Sequence, residues 1–181
     1  MQRQSAANLV HIERLARLVR VLCVLGGIAV LLLPLALWSQ PACVAEMVKK
    51  EWGGMAVQLG WAARLGGLAA TALPTGVGAW SLWEIWRLFG CYARGDLLSL
   101  RPARHLRRLG VALVSLAVAL PLSQTLIVLA LTLGNPSGQR TLWLGVSSAH
   151  YLSLLFGLVL LAVSTVLAEA ARVADENAEF V

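Results

Sequence analysis

The chain has 181 residues, of which 59% are hydrophobic and only 13% charged, about half the charged share of a typical soluble domain. Polar side chains are too few to cover a water-soluble exterior, so a bilayer must supply part of the solvent. The net charge is +6, but the basic residues cluster in a few places, which sets membrane topology and gives no reason to expect direct nucleic-acid binding.

Residues 18–38 form the first apolar run, with thirteen Leu, Ile or Val residues. Roughly twenty residues cross a hydrocarbon core, and these thirteen contribute roughly −4 to −8 kcal/mol to insertion. Arg20 sits near the cytoplasmic end, where its stem can snorkel to the headgroups. Pro34 is placed to kink the helix near its far end. A cleaved signal peptide is the competing reading, favoured by Arg14, Arg17 and Arg20 and by the small residues Ala42, Cys43 and Ala45. The run is longer than a signal core, and Gln40-Pro41-Ala42-Cys43 lacks a leucine ahead of a lipidated cysteine. An uncleaved anchor is expected.

The following outer loop is long enough for a short surface helix around residues 44–59, with Trp52 and Trp61 as interfacial anchors. The second candidate span, 67–89, is weaker. It holds seven Leu, Ile, Val or Phe residues together with Pro74, Gly76, Gly78 and the acidic Glu84. Such a helix needs neighbours, and Gly67, Ala70, Gly76 and Ala79 permit close packing against them.

A basic loop covers 90–108. Ser99 can cap a helix, and Pro102 is tolerated in its first turn. At helical spacing, Arg101, Arg104, His105 and Arg108 share one face while Leu106, Leu109 and Leu113 share another. This is an amphipathic helix running into the third span, 109–133. Arg101, Arg104, His105, Arg107 and Arg108 are candidate contacts for anionic headgroups, each worth about 1 kcal/mol near the surface, or for an acidic partner protein.

Gly134-Asn135-Pro136-Ser137-Gly138 reads as a tight turn into the fourth span, 142–168. The segment 169–181 then reads as a helical tail, with Glu169–Arg172 and Arg172–Glu176 at salt-bridge spacing. Its charge is opposite to that of the basic loop, so the tail is a candidate to lie against it.

Arg and Lys fall eleven on the side of the N-terminus, basic loop and tail, and four on the other side. By the positive-inside rule both termini are cytoplasmic. The expected fold is therefore a single all-α membrane domain, 1–181, a four-helix bundle. His11-Ile-Glu-Arg-Leu-Ala before span one echoes His105-Leu-Arg-Arg-Leu-Gly before span three. Leu82-x-Glu84-x-x-Arg87 echoes Leu167-x-Glu169-x-x-Arg172. Two duplicated hairpins and a coincidence of common residues both remain open.

Intramembrane polar residues are functional suspects. Glu84 is one turn from Arg87 and flanked by Trp80, Trp83 and Trp86, which suits a paired interfacial carboxylate. His150 and Gln124 fall at similar depth in facing helices, where a mutual hydrogen bond would satisfy both. A proton or ligand path through Glu84, Gln124 and His150 is the alternative. Cys23, Cys43 and Cys91 fall at different membrane levels, so no intramolecular disulfide is expected. Cys43 is either an ordinary thiol or a link between two chains.

Catalysis is not expected. Ser147, Ser148 and His150 share one helix, whereas an intramembrane serine protease needs serine and histidine on different helices. Neither a phosphate-binding glycine loop, a metal-ligand spacing nor a haem-ligating histidine pair is present, so no cofactor is expected.

The stretches Leu88-Phe-Gly-Cys-Tyr-Ala-Arg-Gly-Asp-Leu-Leu-Ser, Ala103-Arg-His-Leu-Arg-Arg-Leu-Gly and Ala168-Glu-Ala-Ala-Arg-Val-Ala-Asp-Glu-Asn together resemble a bacterial four-span family catalogued as a domain of unknown function, DUF2975. In that family a Gly-Asp/Glu step precedes an Arg-rich helix, and a Glu-Asn tail follows the last span. The motif match is confined to these cytoplasmic stretches, and Phe180-Val181 stands where the family continues briefly. The resemblance implies a place in a bacterial inner membrane and no activity. It implies a membrane partner of a small helix-turn-helix regulator, because such regulators are encoded beside family members. Expected partners are membrane lipids, a cytoplasmic regulatory protein and further copies of the chain. The alternative function is a small transport or permeability protein.

Overall fold

The computed structural model describes residues 2–53, 55–57, 59–96, 99–136 and 140–179, with side chains described within 13–177. Five helices occur among the described residues: α1 (Gln2–Ser39), α2 (Pro41–Trp52), α3 (Trp61–Tyr92), α4 (Leu100–Thr132) and α5 (Ser148–Glu179). No strand occurs among the described residues. Among the described residues three segments are long and apolar enough to cross a membrane: Glu13–Ser39, Leu100–Thr132 and Ser148–Asn177, with mean hydropathies of 2.6, 2.1 and 2.3. At 32 residues α3 is equally long, but its Gly, Ala, Thr and Pro residues dilute its hydropathy.

The helices pack in chain order. Helix α1 lies against α3, α3 against α4, and α4 against α5, while α1 and α5 do not touch. The expected bundle is therefore an open row. Its flanking helices turn large apolar side chains outward, among them Leu25, Leu32 and Leu33 on α1 and Phe156, Val159 and Val166 on α5. Hydrocarbon is the solvent such faces require.

Small residues set the spacing inside the row. Where α4 crosses α5, a Cβ on Gly110 would lie 2.9 Å from the Gly157 carbonyl oxygen, and one on Gly157 would lie 3.0 Å from that of Gly110. The backbones approach directly, and Ser153 Oγ donates across the same seam to the Leu113 carbonyl at 2.9 Å. Between α3 and α4, Ser123 Oγ donates to the Ala70 carbonyl at 2.9 Å. Between α1 and α3, the Trp38 indole lies over Gly67 and donates to Thr71 Oγ1 at 3.0 Å.

At the far end from the arginine cluster, α2 closes the row. Its Val44 and Val48 are buried with Trp38, Ala70, Ile127 and Leu131. This helix is shorter than the expected 44–59, because Gly53 takes a left-handed conformation (φ 67°) and ends it. It is also a packed element, with Trp52 half-buried against the core, whereas Trp61 is exposed as an interfacial anchor would be.

The link between α4 and α5 corrects a second expectation. Residues 142–147 are not helical, and α5 begins at Ser148. The segment runs back along α4, where Thr125 Oγ1 donates to the Trp143 carbonyl at 2.8 Å and Thr132 Oγ1, which donates to the Val128 carbonyl at 2.8 Å, accepts the Thr141 backbone N–H at 3.4 Å. Those hydroxyls satisfy backbone groups that another helical turn would have satisfied internally. Residues 137 and 138 of the expected tight turn lie outside the described residues, as do residues 180 and 181.

Candidate functional site

The arginine-rich end is assembled by the start of α4. Ser99 Oγ accepts the Arg101 backbone N–H at 3.2 Å, and Pro102 occupies the first turn, as the capping pattern predicts. Pro102, Ala103, Leu106 and Gly110 are buried, while Arg101, Arg104, Arg107 and Arg108 keep solvent exposure.

Glu84 is the anchor of this end. It is only 3% exposed, yet it has three partners. His105 Nδ1 lies 2.6 Å from Oε2, Arg108 Nη1 lies 3.5 Å from Oε1, and Trp80 Nε1 donates to Oε1 at 3.3 Å. The expected Arg87 partner is corrected: Arg87 instead places its guanidinium over the Trp83 ring, 5.5 Å from the centroid. Burying a carboxylate demands such compensation, and the supply comes from α4.

A second group of cations gathers beside it. Arg20 lies over the Trp86 ring at 4.3 Å, and Trp86 stacks on Trp83 with centroids 5.6 Å apart. Arg20, Trp86, Arg87, Arg94, Arg101 and His105 surround a recess of about 350 Å³. Among the described residues no carboxylate lines it. Arg94 Nη2 contacts Cys91 Sγ at 3.6 Å, and Arg20 Nε is shut off from solvent without a hydrogen-bond acceptor.

The helical face expected to present Arg101, Arg104, His105 and Arg108 together is thus divided. Arg101 and His105 turn towards α1 and α3, Arg108 reaches Glu84, and Arg104 with Arg107 lines a groove of about 390 Å³ with Leu161, Ser164 and Thr165 of α5. The tail's carboxylates Glu169 and Glu176 both pair with Arg172 of their own helix. Among the described residues no tail carboxylate pairs with Arg104 or Arg108. The hydrogen bond and charge of Arg172 hold the Glu169 carboxyl below its usual range.

His150, 5% exposed, accepts the Ser147 backbone N–H on Nδ1 at 3.1 Å, which caps the start of α5. The expected bond to half-buried Gln124 is not formed. His150 and Glu84 therefore sit in separate, locally satisfied settings. Cys23 and Cys91 are buried, Cys43 is exposed, and all three are free thiols. Among the described residues no three His, Cys, Asp or Glu side chains converge to hold a metal ion.

Sequence reasoning missed Arg20, Arg94 and Trp86 as parts of one site. The first looked like a snorkelling residue, and nothing local signals that α1 and α3 bring it onto Trp86.

No curated protein and no solved structure matches the chain. The family described as "Protein of unknown function (DUF2975)" matches residues 11–181, and the chain belongs to that family.

Proposed function

We propose that the chain is a four-span protein of the bacterial cytoplasmic membrane with both ends in the cytoplasm, where it docks a regulatory protein without catalysing a reaction. The observation that carries this reading is the concentration of outward arginines at one end, fixed by the buried Glu84. Helix α3 supports the fourth span by position: it packs between α1 and α4. If both neighbours cross the bilayer, a 32-residue helix in contact with each must cross with them.

Arg104 and Arg107 suit an acidic partner, because both are exposed and neither is tied to a carboxylate among the described residues. Charge complementarity of this kind speeds encounter and fixes register. The permeability reading draws less support, since Glu84 and His150 each have local partners.

Capture from membranes in mild detergent tests the docking role. A tagged wild-type chain should retain a cytosolic protein that an Arg104→Gln/Arg107→Gln variant loses. Equal, empty captures, together with ion flux in liposomes that His150→Ala abolishes, would favour the permeability reading.

A further inference from the structure

We propose that the cleft between α1 and α3 holds one anionic phospholipid, with its phosphate among Arg20, Arg87, Arg94 and Arg101 and an acyl chain in the groove below Trp86.

Four guanidinium groups and His105 surround the recess, and among the described residues no carboxylate lies within it. His105 is already engaged with Glu84, so the arginines carry the uncompensated charge. Arg20 supplies the most specific sign, because its Nε is enclosed and lacks an acceptor. A phosphate oxygen would provide one, and arginine's planar fork matches phosphate geometry.

The same recess meets an apolar groove. Trp86 borders both, and beyond it Gly27, Ile28, Leu31, Leu82 and Trp83 line a second space of about 400 Å³ between α1 and α3. Nothing lies within 4 Å of where a Gly27 side chain would start, so the groove stays open along α1. A free phosphate explains the arginines but leaves the groove without a role. A phospholipid uses both, with Trp83 and Trp86 at the depth where indoles favour the headgroup boundary. The anionic headgroup class follows from the excess of arginines.

The proposal rests on the four-span reading only in placing this cleft in the bilayer. Partner capture and lipid binding are separate measurements, so either can fail alone.

The test is native mass spectrometry of the purified full chain with phosphatidylglycerol, phosphatidylcholine or inorganic phosphate added. One phosphatidylglycerol should bind per chain, more tightly than phosphatidylcholine. Arg20→Gln/Arg101→Gln should weaken it roughly thirtyfold, the loss expected from two surface arginines. Gly27→Phe, or Ile28→Trp should that variant fold poorly, should fill the groove and weaken phosphatidylglycerol while leaving inorganic phosphate unaffected. Equal binding of the two lipids, or indifference to the arginine substitutions, would overturn the proposal. Retention of inorganic phosphate together with no effect of the groove-filling variants would assign the site to free phosphate and also overturn it.

Discussion

His105 Nδ1 lies 2.6 Å from Glu84 Oε2, joining α4 to α3 across 21 residues of sequence. An ionised carboxylate only accepts hydrogen bonds, so in that state the imidazole carries its proton on Nδ1. Arg108 and Trp80 complete the group on Oε1. The result ties the least apolar long helix to the start of the arginine-rich one.

Replacing Glu84 should therefore loosen α3 from α4. Glu84→Ala removes the acceptor of three groups, and hydrogen bonds to charged groups are worth about 1.5–3 kcal/mol. A stability loss in that range is expected in detergent unfolding, with Glu84→Gln retaining part of it through hydrogen bonding. Adding His105→Ala to Glu84→Ala should cost less than the sum of the single changes. Strict additivity would mean that the two side chains are not coupled.

The glycines divide into those that set helix spacing and those that do not. A Cβ on Gly67 would fall 2.0 Å from the Trp38 ring, and one on Gly157 would fall 2.9 Å from the Val114 backbone nitrogen. Gly67→Ala and Gly157→Ala should each cost about 1–3 kcal/mol through overpacking. Gly76 has nothing within 4 Å, so Gly76→Ala should leave the melting temperature unchanged or raise it. Equal gain in all three would show that helix propensity, and not close approach, governs these sites.

The tail should respond to acid. Arg172 lowers the Glu169 carboxyl from its ordinary range, so the pair stabilises the tail helix above that range. The contribution is lost as pH falls through the lowered value. Amide protection over residues 173–177, taken relative to the intrinsic exchange rate at each pH, should fall in acid, and Arg172→Ala should bring the lower protection to neutral pH. The group is fully exposed, so the rest of the chain should not respond.

Local signals and long-range contacts explain which parts of this molecule were legible. The Ser99 cap, the amphipathic start of α4 and the Arg172 pairs depend on neighbours within four residues, and each is present. The partner of Glu84 was misread because Arg87 is its only cation one turn ahead, whereas burial brings it to His105 on another helix. Residues 142–147 are apolar enough for a span, but apolarity alone does not separate helix from extended chain. Thr125 and Thr132 decide that question from α4. The close approach of α4 and α5 at Gly110 and Gly157 was beyond periodicity too, since it rests on backbone contact between two helices.

The central claim is that α3 crosses the membrane and leaves the arginine end inside. Thiol labelling in intact cells with a membrane-impermeant reagent tests it most directly. Exposed Cys43 precedes α3, and an Asp96→Cys substitution in a chain lacking the native cysteines reports the segment after it. The account predicts labelling at Cys43 from outside and at position 96 only after permeabilisation. Labelling of both positions from the same side would contradict it.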